Sequence, residues 1–151
     1  MASKQPAETL DFLLVNISHL HRIRAHQLLE AIGLYRGQPP VLRALWETEG
    51  LTQTELAARM EVTPATMTKM LQRMEKAGFI YRKPDAGDQR VSRVYLTDAG
   101  RAIQNEVEAI WRRMDEETFA NFTAEERALL HQFFNRIRSN LIQAAGGELC
   151  K

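Results

Sequence analysis

The stretch Leu51–Arg101, LTQTELAARMEVTPATMTKMLQRMEKAGFIYRKPDAGDQRVSRVYLTDAGR, decides the fold of this 151-residue chain. Thr52 and Glu55 have capping-box spacing, in which each side chain satisfies a backbone N–H that the first helical turn leaves free. They open a short helix to about Met60. Thr63 followed by Pro64 opens a second helix: a hydroxyl cap, then the one residue whose missing N–H is no loss at the first helical position. Only Glu61 and Val62 join the two helices, and Gly78 ends the second. Phe79 to Lys83 and Val91 to Leu96 read as strands around the turn-rich Pro84-Asp85-Ala86-Gly87-Asp88. Two helices on a tight turn, followed by a hairpin with a basic tip, describe a winged helix-turn-helix.

Working outward, residues from about Glu8 to Ala31 carry helical apolar spacing at Leu10, Leu13, Leu14, Ile17 and Leu20, with Leu28 further on. Phe12, Val15 and Ile23 give this helix a second apolar face, so another surface must cover it. Gly33 stops it, and Tyr35-Arg36-Gly37-Gln38-Pro39-Pro40 forms a connector. A further helix covers roughly Pro39 to Glu47. Beyond the hairpin, Thr97-Asp98 caps a long helix to about Phe119. A second capping box, Thr123 with Glu126, opens a last helix to about Ala144. The expected fold is mainly α with a small β-hairpin wing.

At this length the chain reads as a single domain, residues 1–151, able to bury a real core. Hydrophobic residues make up 44% and charged residues 26%, ordinary values for a soluble globular protein. No run approaches the roughly 18 apolar residues of a membrane span, and the start, MASKQPAETLDFLL, lacks the apolar core of a secretion signal. The single cysteine, Cys150, excludes an internal disulfide and makes the cytoplasm the expected compartment.

Net charge is only +1, but its distribution is uneven. Between Arg59 and Arg101 lie nine Lys or Arg and five Asp or Glu, a local excess of 9 − 5 = +4, which leaves 1 − 4 = −3 for the rest. A basic centre flanked by acidic ends fits a nucleic-acid face on a soluble body.

Projected at about 100° per residue, the helix after Thr63 puts Met67, Met70, Leu71 and Met74 on one side. Ala65, Thr66, Lys69, Gln72, Arg73 and Lys76 fall on the other. The first set must pack on the preceding helices. The second suits a helix entering the major groove: small residues at its start permit close approach, Gln can pair with adenine and Arg with guanine. In isolation such a face is equally that of a solvated amphipathic helix, and the context of turn and wing decides between the two. Arg82 and Lys83 on one strand, with Arg90 and Arg93 on the other side, make the hairpin basic. An arginine at its tip can enter the narrow minor groove. Asp88, two residues before Arg90, can hold that guanidinium as an ion pair, serve turn chemistry, or do both.

At these residues a family resemblance emerges. Asp85-x-x-Asp88-x-Arg90, followed by Leu96-Thr97-x-x-Gly100, resembles the wing signature of the MarR (multiple antibiotic resistance regulator) family. The run Thr63 to Ile80 is similar to its recognition helix and following strand. The resemblance implies a homodimeric repressor or activator, with repression the expected role, that binds palindromic double-stranded DNA and is usually released by a small phenolic or other aromatic effector, an oxidant or a metal. Carried over position by position, it puts DNA contacts at Thr63, Ala65, Thr66, Thr68, Lys69, Gln72 and Arg73, with Asp88 and Arg90 in the wing. The DNA-binding lobe would span about residues 36–100, and dimerisation helices about 8–33 and 101–145. The apolar excess of those helices, including Ile103, Val107, Ile110, Leu129, Leu130, Phe133, Phe134, Ile137 and Leu141, agrees with such a role. The resemblance also implies a ligand cleft between the N-terminal helix and the DNA-binding lobe, with Tyr35, Trp46 and Trp111 as candidate lining residues, although plain core packing is the leading reading for each.

No cofactor or metal is expected. His19, His21, His26 and His131 lack accompanying acid or thiol ligands, and the first three do not fall on one helical face. Cys150 reads as an exposed thiol without a redox role. Two readings from other classes compete. A winged helix can serve protein–protein contact alone. An enzyme would need a motif that this chain lacks: there is no nucleophile elbow, phosphate-cradling glycine loop, HExxH or CxxC.

Overall fold

The computed structural model describes residues 9–35 and 37–146, so the expectations for Arg36 and Cys150 lie outside the described residues. The elements run α1 (Leu10–Glu30), α2 (Gln38–Glu47), β1 (Leu51–Thr52), α3 (Gln53–Arg59), α4 (Pro64–Lys76), β2 (Ile80–Pro84), β3 (Ser92–Leu96), α5 (Asp98–Ala102), α6 (Gln104–Thr118) and α7 (Ala124–Ala144). They fall into two compact units, one ending at Met114 and the other beginning at Asp115. No described helix is long and apolar enough to cross a membrane.

The helix starts follow from local chemistry. Thr52 and Thr123 each accept a hydrogen bond from the N–H three residues on, at 3.1 and 3.2 Å. Glu55 and Glu126 reach back to the capping residues' own N–H groups at 2.7 and 2.8 Å, completing both boxes. Thr63 caps α4 through the Thr66 N–H at 3.2 Å, with Pro64 at the first helical position. Between α3 and α4 the chain turns through Glu61 at φ 53°, a left-handed conformation seldom taken by a residue with a side chain.

The core of the first unit gathers Leu34, Val41, Leu42 and Leu45 around Leu56, Met67, Leu71 and Met74. Ile80, Val94 and Leu96 close it from the sheet, and Ile103, Val107, Ile110 and Met114 continue it along α6. The antiparallel sheet has the order β1-β3-β2, with Tyr81 opposite Tyr95 and Lys83 opposite Arg93. β1 pairs Leu51 with Val94 and Thr52 with Arg93. β1 is not legible in the sequence: two residues carry no periodicity, and the strand exists only because β3 supplies its partners.

The helix expected from Thr97 to Phe119 is interrupted at Ile103, giving α5 and α6. α5 is gripped from outside itself. The Thr97 N–H donates to the Phe79 carbonyl at 3.0 Å, and its hydroxyl donates to the Gly78 carbonyl at 2.5 Å while accepting the Gly100 N–H at 3.1 Å. Gly100 lies so close to the end of α4's connector that a Cβ there would stand 2.0 Å from the Phe79 carbonyl oxygen. The glycine of the Leu96-Thr97-x-x-Gly100 motif is thus a packing requirement.

The terminal helices contrast with this core. On α1 only Leu29 is buried, while Leu10, Phe12, Leu13, Val15, Ile17, Leu20 and Ile23 are exposed. In the second unit α7 buries no residue over 21 positions, leaving Leu129, Phe133, Phe134, Ile137 and Leu141 exposed. Phe119, Phe122 and Phe134 form a small ring cluster there, and Asp115 pairs with Arg127 at 2.6 Å.

Candidate nucleic-acid interface

The inner side of α4 seats Met67, Leu71 and Met74 at zero exposure, with Met70 half-buried. Its outer side exposes Ala65, Thr66, Lys69, Gln72, Arg73 and Lys76, as the helical projection requires. Lys69, Arg73 and Lys76 have no ion-pair partner among the described residues, so their charge faces solvent uncompensated. Thr63 is exposed but engaged: besides capping, its hydroxyl donates to the Thr66 Oγ1 at 2.9 Å. Thr68, placed at DNA by the family resemblance alone, lies off that face. It is half-buried, its Oγ1 donates to the Pro64 carbonyl at 2.9 Å, and it accepts the side-chain amide of Gln53 on α3.

The hairpin sorts its basic residues into structural and available ones. Asp85 pairs with Arg93, and its other oxygen accepts the Gly87 and Asp88 N–H groups at 3.0 and 3.1 Å. Arg93 also donates to the Gly50 carbonyl at 2.8 Å, tying the wing to the turn before β1. The Arg93 bond, followed by the two backbone N–H groups, holds the Asp85 carboxyl below its ordinary range. Arg82 donates to Glu75 of α4 at 2.7 Å, and that bond raises the guanidinium pKa. Lys83 lies over the stacked rings of Tyr81 and Tyr95, 5.3 and 5.8 Å from their centroids.

Of the two readings of Asp88, the structure shows the turn chemistry: its carboxylate accepts the Arg90 backbone N–H at 3.0 Å. The Arg90 guanidinium has no ion-pair partner among the described residues and projects from an exposed tip. Arg82 and Arg93, read from the sequence as part of a basic wing, are spent on the fold. Their acids, Glu75 and Asp85, lie seven and eight positions away, and only the hairpin register brings them together.

Two clefts open in the first unit, sharing Pro39, Pro40 and Trp111. The larger, about 850 Å³, also takes in Trp46, Arg43 and Arg112. The smaller, about 610 Å³, takes in His19, His21, Arg22 and His26. Trp46 has a structural bond as well, from its indole N–H to the Gly100 carbonyl at 2.9 Å. Tyr35 is exposed and lines neither cleft. The three α1 histidines all border the smaller cleft, although, as their spacing requires, they do not all share one helical face. His19 and His26 are two helical turns apart and share a face. Among the described residues no His, Cys, Asp and Glu group of three or more could hold a metal ion.

The MarR family profile matches residues 34–92, the segment from the α1–α2 connector to the start of β3. Transcriptional regulator HosA of Escherichia coli O157:H7 is 35% identical over 104 residues, covering 69% of this chain and 77% of that protein. HTH-type transcriptional regulator TtmR of Methylorubrum extorquens is 32% identical over 106 residues, 70% of this chain, and the match spans only about half (53%) of that relative's length. A cysteine-to-serine mutant of MarR from E. coli, solved in complex with operator DNA, superposes with a TM-score of 0.71 at 25% identity, over 85% of this chain and 92% of that one. Given the helix-turn-helix, the wing and these relatives, the chain belongs to the MarR family of DNA-binding transcriptional regulators.

Proposed function

We propose that the protein is a homodimeric repressor of transcription that binds a palindromic operator. One α4 per subunit enters successive major grooves, about 34–36 Å apart. The observation that carries this reading is the exposed face of α4. Ala65 and Thr66 permit close approach at its start, and Gln72 and Arg73 carry base-reading groups behind them. Lys69 supplies positive charge for the backbone. The free Arg90 of the wing reaches the adjacent minor groove, with Asp88 shaping the turn that presents it. Thr63 acts through its cap, and Thr68 through its bonds to Gln53 and Pro64 rather than by touching DNA.

The unpartnered apolar faces of α1 and α7 support dimerisation, since a lone subunit leaves both in water. A dimer across two major grooves blocks whatever promoter element its operator overlaps, which makes repression the natural outcome. An aromatic effector in the clefts bordered by Trp46 and Trp111 would release DNA by favouring another spacing of the two α4 helices.

Operator binding by Arg90→Ala and Lys69→Ala, measured across a salt series, tests the reading. Each should weaken binding by about fivefold or more, and Lys69→Ala should lower the salt slope by about 1. Wild-type affinity in both variants would contradict it.

A further inference from the structure

The inner face of α4 holds the helix in place but is poorly suited to fixing its rotation. Three of its four apolar side chains are methionines (Met67, Met70, Met74), which repack at little cost because they are unbranched and flexible. A polar relay runs along the flank instead. On β2, Arg82 donates through Nη2 to Glu75 in the last turns of α4 at 2.7 Å, and through Nη1 to the Gln53 side-chain oxygen at 3.4 Å. The amide of Gln53, the first residue of α3, donates to Thr68, which donates to the Pro64 carbonyl in the first turn of α4. One wing residue and one α3 residue thereby grip α4 at Thr68, in its second turn, and at Glu75, in its last. The outward residues Lys69, Gln72 and Arg73 lie between the two grips. Arg82 and Glu75 are about three-quarters covered, so water competes weakly for their bond.

We propose that Arg82 and Gln53 are positioning residues that set the rotation of the recognition helix, and hence how sharply it discriminates between operator sequences. Planarity matters: only a guanidinium reaches Glu75 and Gln53 together, each from a different nitrogen. This rests on the DNA-binding reading above and goes beyond it, since Arg82 itself need not touch DNA.

The test uses an operator recovered by selecting random duplexes on the wild-type protein. Affinity of Arg82→Gln and Arg82→Lys is then measured on that operator and on a copy with one base pair changed in each half-site, over a salt series. The expected result is an operator-to-altered-site ratio lowered on the order of tenfold in Arg82→Gln. The salt slope should stay unchanged, with only part of the ratio restored in Arg82→Lys. A slope lowered by about 1 with the ratio intact, and full rescue by lysine, would make Arg82 a phosphate contact and overturn the proposal. So would an unchanged ratio and slope. If Arg82→Gln fails to fold, Gln53→Ala carries the same measurement, because it cuts the relay without exposing a charge. Failure of the wild-type protein to enrich any operator would sink the DNA reading itself, an outcome distinct from those seen in the variants.

Discussion

Single residues here are constrained mainly by what lies a few ångströms away in a different element. Gly100 shows this most directly. It has no unusual backbone requirement, yet a methyl group there would meet the Phe79 carbonyl oxygen at 2.0 Å, and backbone cannot move aside as a flexible side chain can. Gly100→Ala is expected to destabilise the fold by about 1–3 kcal/mol, the range for overpacking a well-filled site. A denaturant midpoint equal to that of the wild type would contradict that origin for the glycine. The same holds for charge. Arg82, Arg90 and Arg93 are alike in the sequence, but only Arg90 is left without an acidic partner among the described residues. Their different fates could not be read from composition, because the partners are set by strand register.

The elements divide into those that local chemistry dictates and those that tertiary contact creates. The starts of α3, α4 and α7 were legible because Thr52 with Glu55, Thr63 with Pro64 and Thr123 with Glu126 act within a single turn. β1 and the interruption at Ile103 were not, since one needs β3 and the other accompanies the clasp of Thr97 and Gly100 onto Gly78 and Phe79. The candidate contact face was legible for Ala65, Thr66, Lys69, Gln72 and Arg73, which helical period alone turns outward. Thr68 never fell on that projected face, and its hydroxyl is engaged by Gln53 on another helix. The wing tip makes a prediction at this scale. Asp85 has a lowered pKa through Arg93 and the Gly87 and Asp88 N–H groups. A depressed carboxyl stabilises the folded tip above its ordinary pKa of about 3.9, and that contribution is lost as pH falls through the lowered value. The Gly87 and Asp88 amide shifts should therefore titrate with a midpoint below that ordinary value, and Asp85→Asn should abolish the step. A midpoint at or above the ordinary value would show that the carboxylate does not organise the tip.

At the scale of the whole molecule, the exposed apolar faces of α1 and α7 are the surfaces that a second copy of the chain would cover in the proposed homodimer. Placing a charge at Ile137 or Leu141 on α7 (Ile137→Asp, Leu141→Asp) should convert the dimer to monomer in sedimentation and abolish tight operator binding. A monomeric wild-type protein at micromolar concentration would remove the two-half-site account. The apolar excess read at Leu10 to Leu20 and Leu129 to Leu141 stays largely exposed, whereas Ile103, Val107 and Ile110, read with it, are buried in the subunit's own core, a difference that only the packing decides. The measurement that bears most directly on the central claim is selection of random duplex DNA on the purified protein at low and moderate salt. A dimeric, sequence-specific regulator should enrich an inverted repeat whose half-site centres are about one helical turn apart, or a whole multiple of it, persisting at moderate salt. No enriched sequence, with binding that fades as salt rises, would mean only non-specific attraction to a basic face and would contradict it.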